Sequence, residues 1–445
     1  MKNEDYNLNM IPPNKFGASW KFSQCSNFRN LRKKYPKFFY ESFDYKISNG
    51  DLKIVFYFYI PPRIVFKPEI VIEKIDKKRL EKIGDHALDN LVFNTGLIEM
   101  LSYWKTTCSP EIEIRAGHLD YLQTKWWKDL LLKGMGQFFY ENKIDWRKKD
   151  FIKIVSLGKN YDIYKGSLEN RYMIPFAGGR DSIVTLEKIK EEYGNDKISL
   201  FTVNPIGKIQ RTVKVSGIKK QIIVRRIVDK KLLDLNKKGY LNGHTPFTSL
   251  LSFISVLCGV LFNYKNITFS NEKSANEGNV KYLGRVINHQ WAKSSEFEKM
   301  FRDYCRKFLA KNVNYFSFSR KYTELEISKM LMKYPKYFPV FSSCNAGMRI
   351  SAKMNERWCG ECPKCLFVYL SLYPFLTEAE LHKIFGKKIL EDRKLLPILK
   401  QLTGKEGIRP FECVGTIKES KLALELSIRK AKTYGKIPFL LKNNA

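Results

Sequence analysis

Met173-Ile174-Pro175-Phe176-Ala177-Gly178-Gly179-Arg180-Asp181-Ser182-Ile183-Val184-Thr185-Leu186-Glu187-Lys188-Ile189 sets a Gly-Gly-x-Asp-Ser turn between a short apolar run and an amphipathic helical repeat. Gly178 and Gly179 lack a Cβ, so the backbone can turn tightly and bring its N–H groups onto anionic oxygens. The helix that follows aims its positive end at the same point. Ser182 adds a hydroxyl there, and Asp181 a carboxylate able to hold Mg²⁺. The Gly-Lys-Ser/Thr ending of a Walker loop is missing. Taken alone, the string is also an ordinary turn with an Asx cap, so the rest of the chain has to decide.

Outward from the turn, strand and helix alternate. Tyr172 to Phe176 reads as the strand feeding the loop, 183 to 193 as a helix, and Ile198 to Val203 as the next strand. A short strand at Gln221 to Val224, a helix over 246 to 262 that is apolar nearly all round, and a strand at Asn266 to Phe269 follow. This alternation predicts an α/β fold with a doubly wound, mostly parallel sheet and a ligand at the strand C-termini. Upstream, residues 38 to 73 read as antiparallel strands stopped at Pro61-Pro62, and 76 to 106 and 119 to 143 carry helical spacing. The expected organisation is an N-terminal α+β domain over 1–150, a nucleotide-binding α/β domain over 151–340, and a mostly helical region with a cysteine site over 341–445.

Cys344, Cys359, Cys362 and Cys365 form a C-x14-C-x2-C-x2-C array on Gly- and Pro-containing turns. Four thiolates at this spacing suit tetrahedral Zn²⁺; an iron–sulfur cluster takes the same ligands, and buried unligated cysteines are the plain alternative. Zinc is the preferred reading. A closed four-cysteine site has no open coordination position, so the metal is expected to be structural. The remaining five of the nine cysteines are scattered, which fits a reducing compartment rather than a disulfide framework.

At 445 residues and 44% hydrophobic, the chain can bury two or three cores. No apolar run is long enough to span a bilayer, and Met1 to Tyr6 shows no signal region, so a cytoplasmic protein is expected. The net charge of +34 raises nucleic acid as a partner. The basic residues are spread in pairs and triples along the chain, however, as in a solvated Lys-rich surface, and no RNA-binding module is visible.

Three polar strings lie where such a sheet presents its loops: Asn242-Gly243-His244-Thr245-Pro246, Ser270-Asn271-Glu272-Lys273-Ser274-Ala275-Asn276-Glu277-Gly278-Asn279 and Asn288-His289-Gln290-Trp291-Ala292-Lys293-Ser294. Each sets hydrogen-bonding side chains beside apolar segments, as a site lining does; each is also rich in ordinary capping and turn residues. The Gly-Gly-x-Asp-Ser turn resembles the PP-loop of ATP pyrophosphatases, which cleave ATP to AMP and pyrophosphate. With the cysteine array it is similar to 7-cyano-7-deazaguanine synthase. The strings, together with Ser102-Tyr103-Trp104-Lys105, Gly136-Gln137-Phe138-Phe139-Tyr140-Glu141-Asn142, Trp358-Cys359-Gly360-Glu361-Cys362-Pro363-Lys364-Cys365 and Pro410-Phe411-Glu412-Cys413-Val414-Gly415, resemble the bacterial UDP-N-acetylmuramoyl-L-alanyl-L-glutamate epimerase family from about residue 40 to 420.

That resemblance implies a PP-loop fold of the adenine nucleotide alpha hydrolase type and ATP-dependent epimerisation of the terminal L-Glu of UDP-MurNAc-L-Ala-L-Glu to D-Glu. AMP and pyrophosphate are the implied coproducts, with Mg²⁺ and a structural Zn²⁺, in peptidoglycan precursor synthesis. Ala177, Gly178, Gly179, Arg180, Asp181, Ser182, Asn271, Glu272 and Lys273 are the expected nucleotide contacts. The family pattern reads Gly-Gly-Gly-Lys-Asp-Ser, so Ala177 and Arg180 depart from it, as does Lys273, which stands where Arg is usual. Arg180 is expected to keep a cation near the phosphates. His289 and His244, which ordinarily titrate near neutrality, and Cys413 are the proton-transfer candidates. A PP-loop enzyme acting on a nucleobase or tRNA, and a nucleotide-binding module without catalysis, remain as alternatives. The oligomeric state is left open.

Overall fold

The computed structural model describes residues 20–345 and 357–443; Met1 to Tyr6, the Ala346-Gly347 part of the cysteine spacer and the Cys25 side chain lie outside the described residues. Backbone contacts divide the chain into two compact units, each assembled from separated segments. Unit 1 comprises Met1–Met173, Ile222–Ile267 and Lys299–Tyr315; unit 2 comprises Ile174–Gln221, Thr268–Glu298 and Phe316–Ala445.

Unit 1 is built on strands β1 (Lys37–Ser48), β2 (Asp51–Ile60), β3 (Ile64–Phe66), β4 (Glu69–Ile72), β5 (Glu111–Ile114) and β6 (Lys153–Ser156). The period-2 pattern of β2 is realised literally. Leu52, Ile54, Phe56, Phe58 and Ile60 are all buried, and the residues between them are half-exposed. These rings meet Phe38, Tyr40 and Tyr103 in an aromatic core. β1–β2 and β2–β4 pair antiparallel, whereas β1–β5 and β5–β6 pair parallel. Of β7 (Glu169–Pro175), β8 (Ile198–Val203), β9 (Gln221–Ile227) and β10 (Tyr264–Phe269), β9 joins this unit by an antiparallel ladder to β4. The β7 residue Met173 pairs parallel with Ile267 of β10. The helix Phe247–Leu261 is buried along nearly its whole length and packs on the helix Asp85–Glu99. Arg226 on β9 and Glu99 form a buried ion pair at 2.8 Å, completed by the Ser102 hydroxyl.

Unit 2 contains β8, the C-terminal end of β7 and the crossover helices. The Phe176 N–H donates to the Phe201 carbonyl at 2.8 Å and the Leu200 N–H to the Lys220 carbonyl at 3.0 Å, so β8 lies between the ends of β7 and β9. The helix Arg180–Tyr193 leads from β7 to β8, and the helix Gly207–Ser216 from β8 to β9. The helix Arg180–Tyr193 packs on Glu324–Leu331, which in turn packs on Pro363–Leu372 and Ile417–Thr433.

The α/β class and the helical tail agree with the sequence expectations, and β8 has the expected bounds. Three points differ. The loop helix begins at Arg180 instead of 183, because Gly179 (φ −87°, ψ 167°) is its N-cap and the next three residues already have helical geometry. The strand expected at Gln221 to Val224 enters the sheet antiparallel, by a ladder from β9 to β4, whereas the antiparallel pairing of β1, β2 and β4 follows the expectation for 38 to 73. The contact units also differ from a contiguous division at 150 and 340, since residues 222–267 return to the N-terminal strands. No helix among the described residues is long and apolar enough to cross a membrane.

Candidate functional site

The loop between β7 and its helix is fixed from several sides within unit 2. Gly178 has φ +71°, and a Cβ there would come within 3.0 Å of the Thr212 hydroxyl, so only glycine suits the position. Its carbonyl accepts the Ser342 N–H at 3.1 Å. The Arg180 N–H donates to Ser343 Oγ at 3.1 Å, and the Ser182 hydroxyl donates to the Gly179 carbonyl at 2.9 Å. The N–H groups of Asp181 and Ser182 fall in the first helical turn, which has no internal acceptors, and form the anion-facing end of the helix. Ala177 is exposed at the rim.

Arg180 does not serve as the phosphate cation. Its guanidinium is fully buried, where it pairs with Glu324 and with Asp181 (2.8 Å) and donates to Ser328 Oγ (2.9 Å) and Ser371 Oγ (3.3 Å). A guanidinium committed to that network, at the contact of the helices Arg180–Tyr193, Glu324–Leu331 and Pro363–Leu372, cannot turn to a ligand. Two other cations act on Asp181. Lys364 reaches Glu324 at 3.5 Å, and Lys293 donates to Cys413 Sγ at 3.1 Å. Burial opposes the charge on Lys293, but Cys413, Glu272 and Asp181 outweigh it and hold the ammonium above its ordinary range. Asp181 is held below the usual carboxylate range: burial works against it, and Arg180, Lys364 and Lys293 prevail. Lys364 is shifted down, by burial first and then by Arg180.

The second and third polar strings interlock around this group. The Asn288 side chain donates to the Ala275 carbonyl (2.9 Å), and the His289 N–H donates to Asn279 Oδ1 (2.8 Å). Asn279 itself reaches the Pro410 carbonyl at 2.7 Å. Arg409 clamps the turn carrying Cys413 through the carbonyls of Val414 (2.7 Å), Gly415 (3.2 Å) and Glu277 (2.8 Å). The half-buried His289 is pushed down to about 3 by burial and by the charges of Lys293 and Arg409. Burial, with two cationic neighbours behind it, thus works against the near-neutral titration expected from the sequence. Ser270 Oγ and Gln290 Oε1 are buried without a hydrogen-bond partner among the described residues, as polar atoms facing a ligand or water would be.

Asn271 and Glu272 are buried, the former donating to Ser317 Oγ at 3.1 Å, whereas the Lys273 side chain is exposed. His244 belongs to unit 1. There its N–H bonds the Glu141 carboxylate, which burial pushes up, and Lys105 Nζ donates to the Gly243 carbonyl at 2.8 Å. Burial brings Lys105 down to about 8. Lys293 and Lys364 were missed as site residues. The signal for each was its position, inside a polar string and between two metal-spaced cysteines respectively.

The four sulfurs of Cys344, Cys359, Cys362 and Cys365 lie within 4.8 Å of one another and could hold a metal ion. Cys359 and Cys365 are 3.7 Å apart, close to the ~3.8 Å that tetrahedral geometry and a 2.3 Å Zn–S bond require.

Residues 29–318 match the family model of the MurL N-terminal domain, and residues 340–442 that of the MurL C-terminal domain. The chain is 39% identical over 249 residues to a UDP-N-acetyl-alpha-D-muramoyl-L-alanyl-L-glutamate epimerase of Salinispora tropica, covering 56% of this chain and 54% of that one. Proteins of the same name from a Micromonospora species and from Xanthomonas oryzae pv. oryzae are 36% and 31% identical, covering 66% and 75% of this chain. The match spans 65% of the former relative and 74% of the latter, so the first two relatives are matched over less than two thirds of their length.

Proposed function

We propose, from the premise that the chain belongs to the MurL family, that it inverts the terminal glutamate of UDP-MurNAc-L-Ala-L-Glu from L to D at the expense of ATP. One observation carries the reading. Asp181, in the first turn of the helix that follows the glycine loop, interacts with Lys293, and Lys293 donates to Cys413 Sγ at 3.1 Å and lends its charge to the surroundings of His289. This proximity supports a polyphosphate contact and a set of proton carriers side by side within unit 2.

The Cα–H of a terminal glutamate lies beside a carboxylate whose charge opposes carbanion formation. In the proposed reaction a carboxylate oxygen bonds to the α-phosphorus of ATP as the bond to pyrophosphate breaks. The resulting mixed anhydride makes the Cα proton far more acidic. One side chain removes that proton, another returns it to the opposite face, and water adds to the acyl carbon to release AMP. Gly178, Gly179, Asp181 and Ser182 are the proposed phosphate contacts, with Ala177 at the rim and Asn271 in the lining. Lys293 and Lys364 offset the charge of the leaving pyrophosphate, and Glu272 orients Lys293. Mg²⁺ would be held by Asp181, already ionised, and would neutralise phosphate charge. Cys413 with Lys293, and His289, are the proposed proton carriers. The phosphates oppose the cations that depress His289, so its basicity rises once nucleotide is bound. Zinc in the cysteine site is proposed to be structural.

The test is incubation with ATP, Mg²⁺ and UDP-MurNAc-L-Ala-L-Glu, following AMP release and the chirality of the glutamate after hydrolysis. Substrate-dependent AMP with D-Glu supports the reading. AMP without inversion moves the chemistry to another acceptor, and no AMP overturns it.

A further inference from the structure

We infer that the four-cysteine site is the anchor that sets the shape of the glycine loop, and that Ser342 and Ser343 carry the connection, with Ser343 a positioning residue. The inference deepens the reading above and rests on it only for the identity of the ligand.

Three consecutive residues join the two sites. The Ser342 N–H donates to the Gly178 carbonyl at 3.1 Å, and Ser343 Oγ accepts the Arg180 N–H at 3.1 Å. The next residue, Cys344, carries one of the four sulfurs. A Cβ on Gly179 would stand 3.1 Å from Ser343 Oγ, so a side chain at 179 would crowd the strut. The strut is also tied to the second part of the cysteine array. Ser342 Oγ donates to the Arg357 carbonyl and accepts the Cys344 N–H at 3.3 Å, and the Cys359 N–H donates to Cys344 Sγ at 3.5 Å. Two residues before Ser342, the Val340 carbonyl accepts from Thr212 Oγ1, the hydroxyl that lies against Gly178.

The loop is therefore held at its positive-φ glycine and again at Arg180 by consecutive residues of one segment. The other end of that segment is held by the sulfurs. A metal ion binding all four would fix Cys344 and, through it, the Gly178 carbonyl and the Arg180 amide. Preorganisation of this kind lowers the cost of ordering a loop around a ligand. Without the metal, Ser342 and Ser343 would be held at one end only.

The experiment uses the full chain with its metal counted by mass spectrometry. Amide exchange over the peptide 177–183 is followed without nucleotide, and binding of a fluorescent ATP analogue is measured in parallel. Ser343→Ala is expected to keep one metal ion per chain, to speed exchange at the Arg180 amide, and to weaken nucleotide binding roughly fivefold, the worth of one net hydrogen bond. Ser343→Thr, which keeps the hydroxyl, is expected to restore both. Stripping the metal with a chelator is expected to raise exchange at 177–183 by more than Ser343→Ala does, with unit 1 peptides unchanged. If the folded, metal-free chain protects the loop as before, or if Ser343→Ala behaves as wild type, the inference is overturned. If stripping the metal unfolds unit 2, the Ser343 pair decides alone, since neither variant touches a sulfur. A wild-type chain that binds no nucleotide sinks the functional reading, and the exchange data then judge the strut by themselves.

Discussion

Replacing His289 with Gln should remove part of the acid sensitivity of the fold. The imidazole sits near 6.5 in an unfolded chain and is pushed down to about 3 here, by burial and by Lys293 and Arg409. Below neutrality the unfolded chain therefore takes up a proton that the folded chain refuses, and stability falls as pH drops from about 7 toward 3. Integrated from pH 8 to pH 5, this linkage amounts to ~2 kcal/mol, and solvent at the half-buried ring trims it to about 1–2 kcal/mol. The assay is urea unfolding followed by tryptophan fluorescence at the two pH values, on wild type and His289→Gln. The wild type should lose that much more stability between pH 8 and pH 5 than the variant does. A histidine-selective NMR titration should find the ring neutral throughout this range, with its midpoint moving up when nucleotide is added. Equal losses in both proteins, with a ring titrating near 6.5, would refute the argument that neighbouring cations govern this site.

Two further substitutions test separate parts of the structure. Lys293→Met should cut substrate-dependent AMP formation by ~10²-fold or more, because it removes a preorganised cation beside Cys413 and Asp181, while thermal stability changes little; unchanged turnover would take Lys293 out of the reaction. Arg226→Met should strand the Glu99 carboxylate in the core of unit 1 and cost about 3–5 kcal/mol, read as a lower urea midpoint.

The glycine loop, the β2 alternation and the buried helix Phe247–Leu261 were legible because each is set by local pattern: a turn, a period of two, an unbroken apolar run. The cysteine site was legible from spacing alone. What could not be read locally is which charges meet. In a chain with 79 Lys and Arg, nothing marks Lys293 or Lys364 until Cys413 and Glu324 are brought beside them. The same holds for Arg180. Its position beside the loop suggested a phosphate contact, and only the folded helices supply the Glu324, Ser328 and Ser371 that capture it. His289 was found by its polar surroundings, but its depressed basicity follows from burial, from Lys293 and from Arg409, and the first and last of these come only with the fold. The antiparallel return of β9 to β4 was missed because short strands carry no label for their partner.

The assembly of these charges also bears on how the chain reaches its working state. Lys293 meets Cys413 across 120 positions, and Arg180 meets Ser371 across 191. Contacts this distant form late, after the closure entropy of the intervening chain has been overcome. The loop and its helix can form early, but Lys293 gains Cys413, and Lys364 reaches the site, only with the last third of the sequence. Nucleotide should thus have little affinity for a partly synthesised chain and should bind, and stabilise, only one whose C-terminal helices have docked.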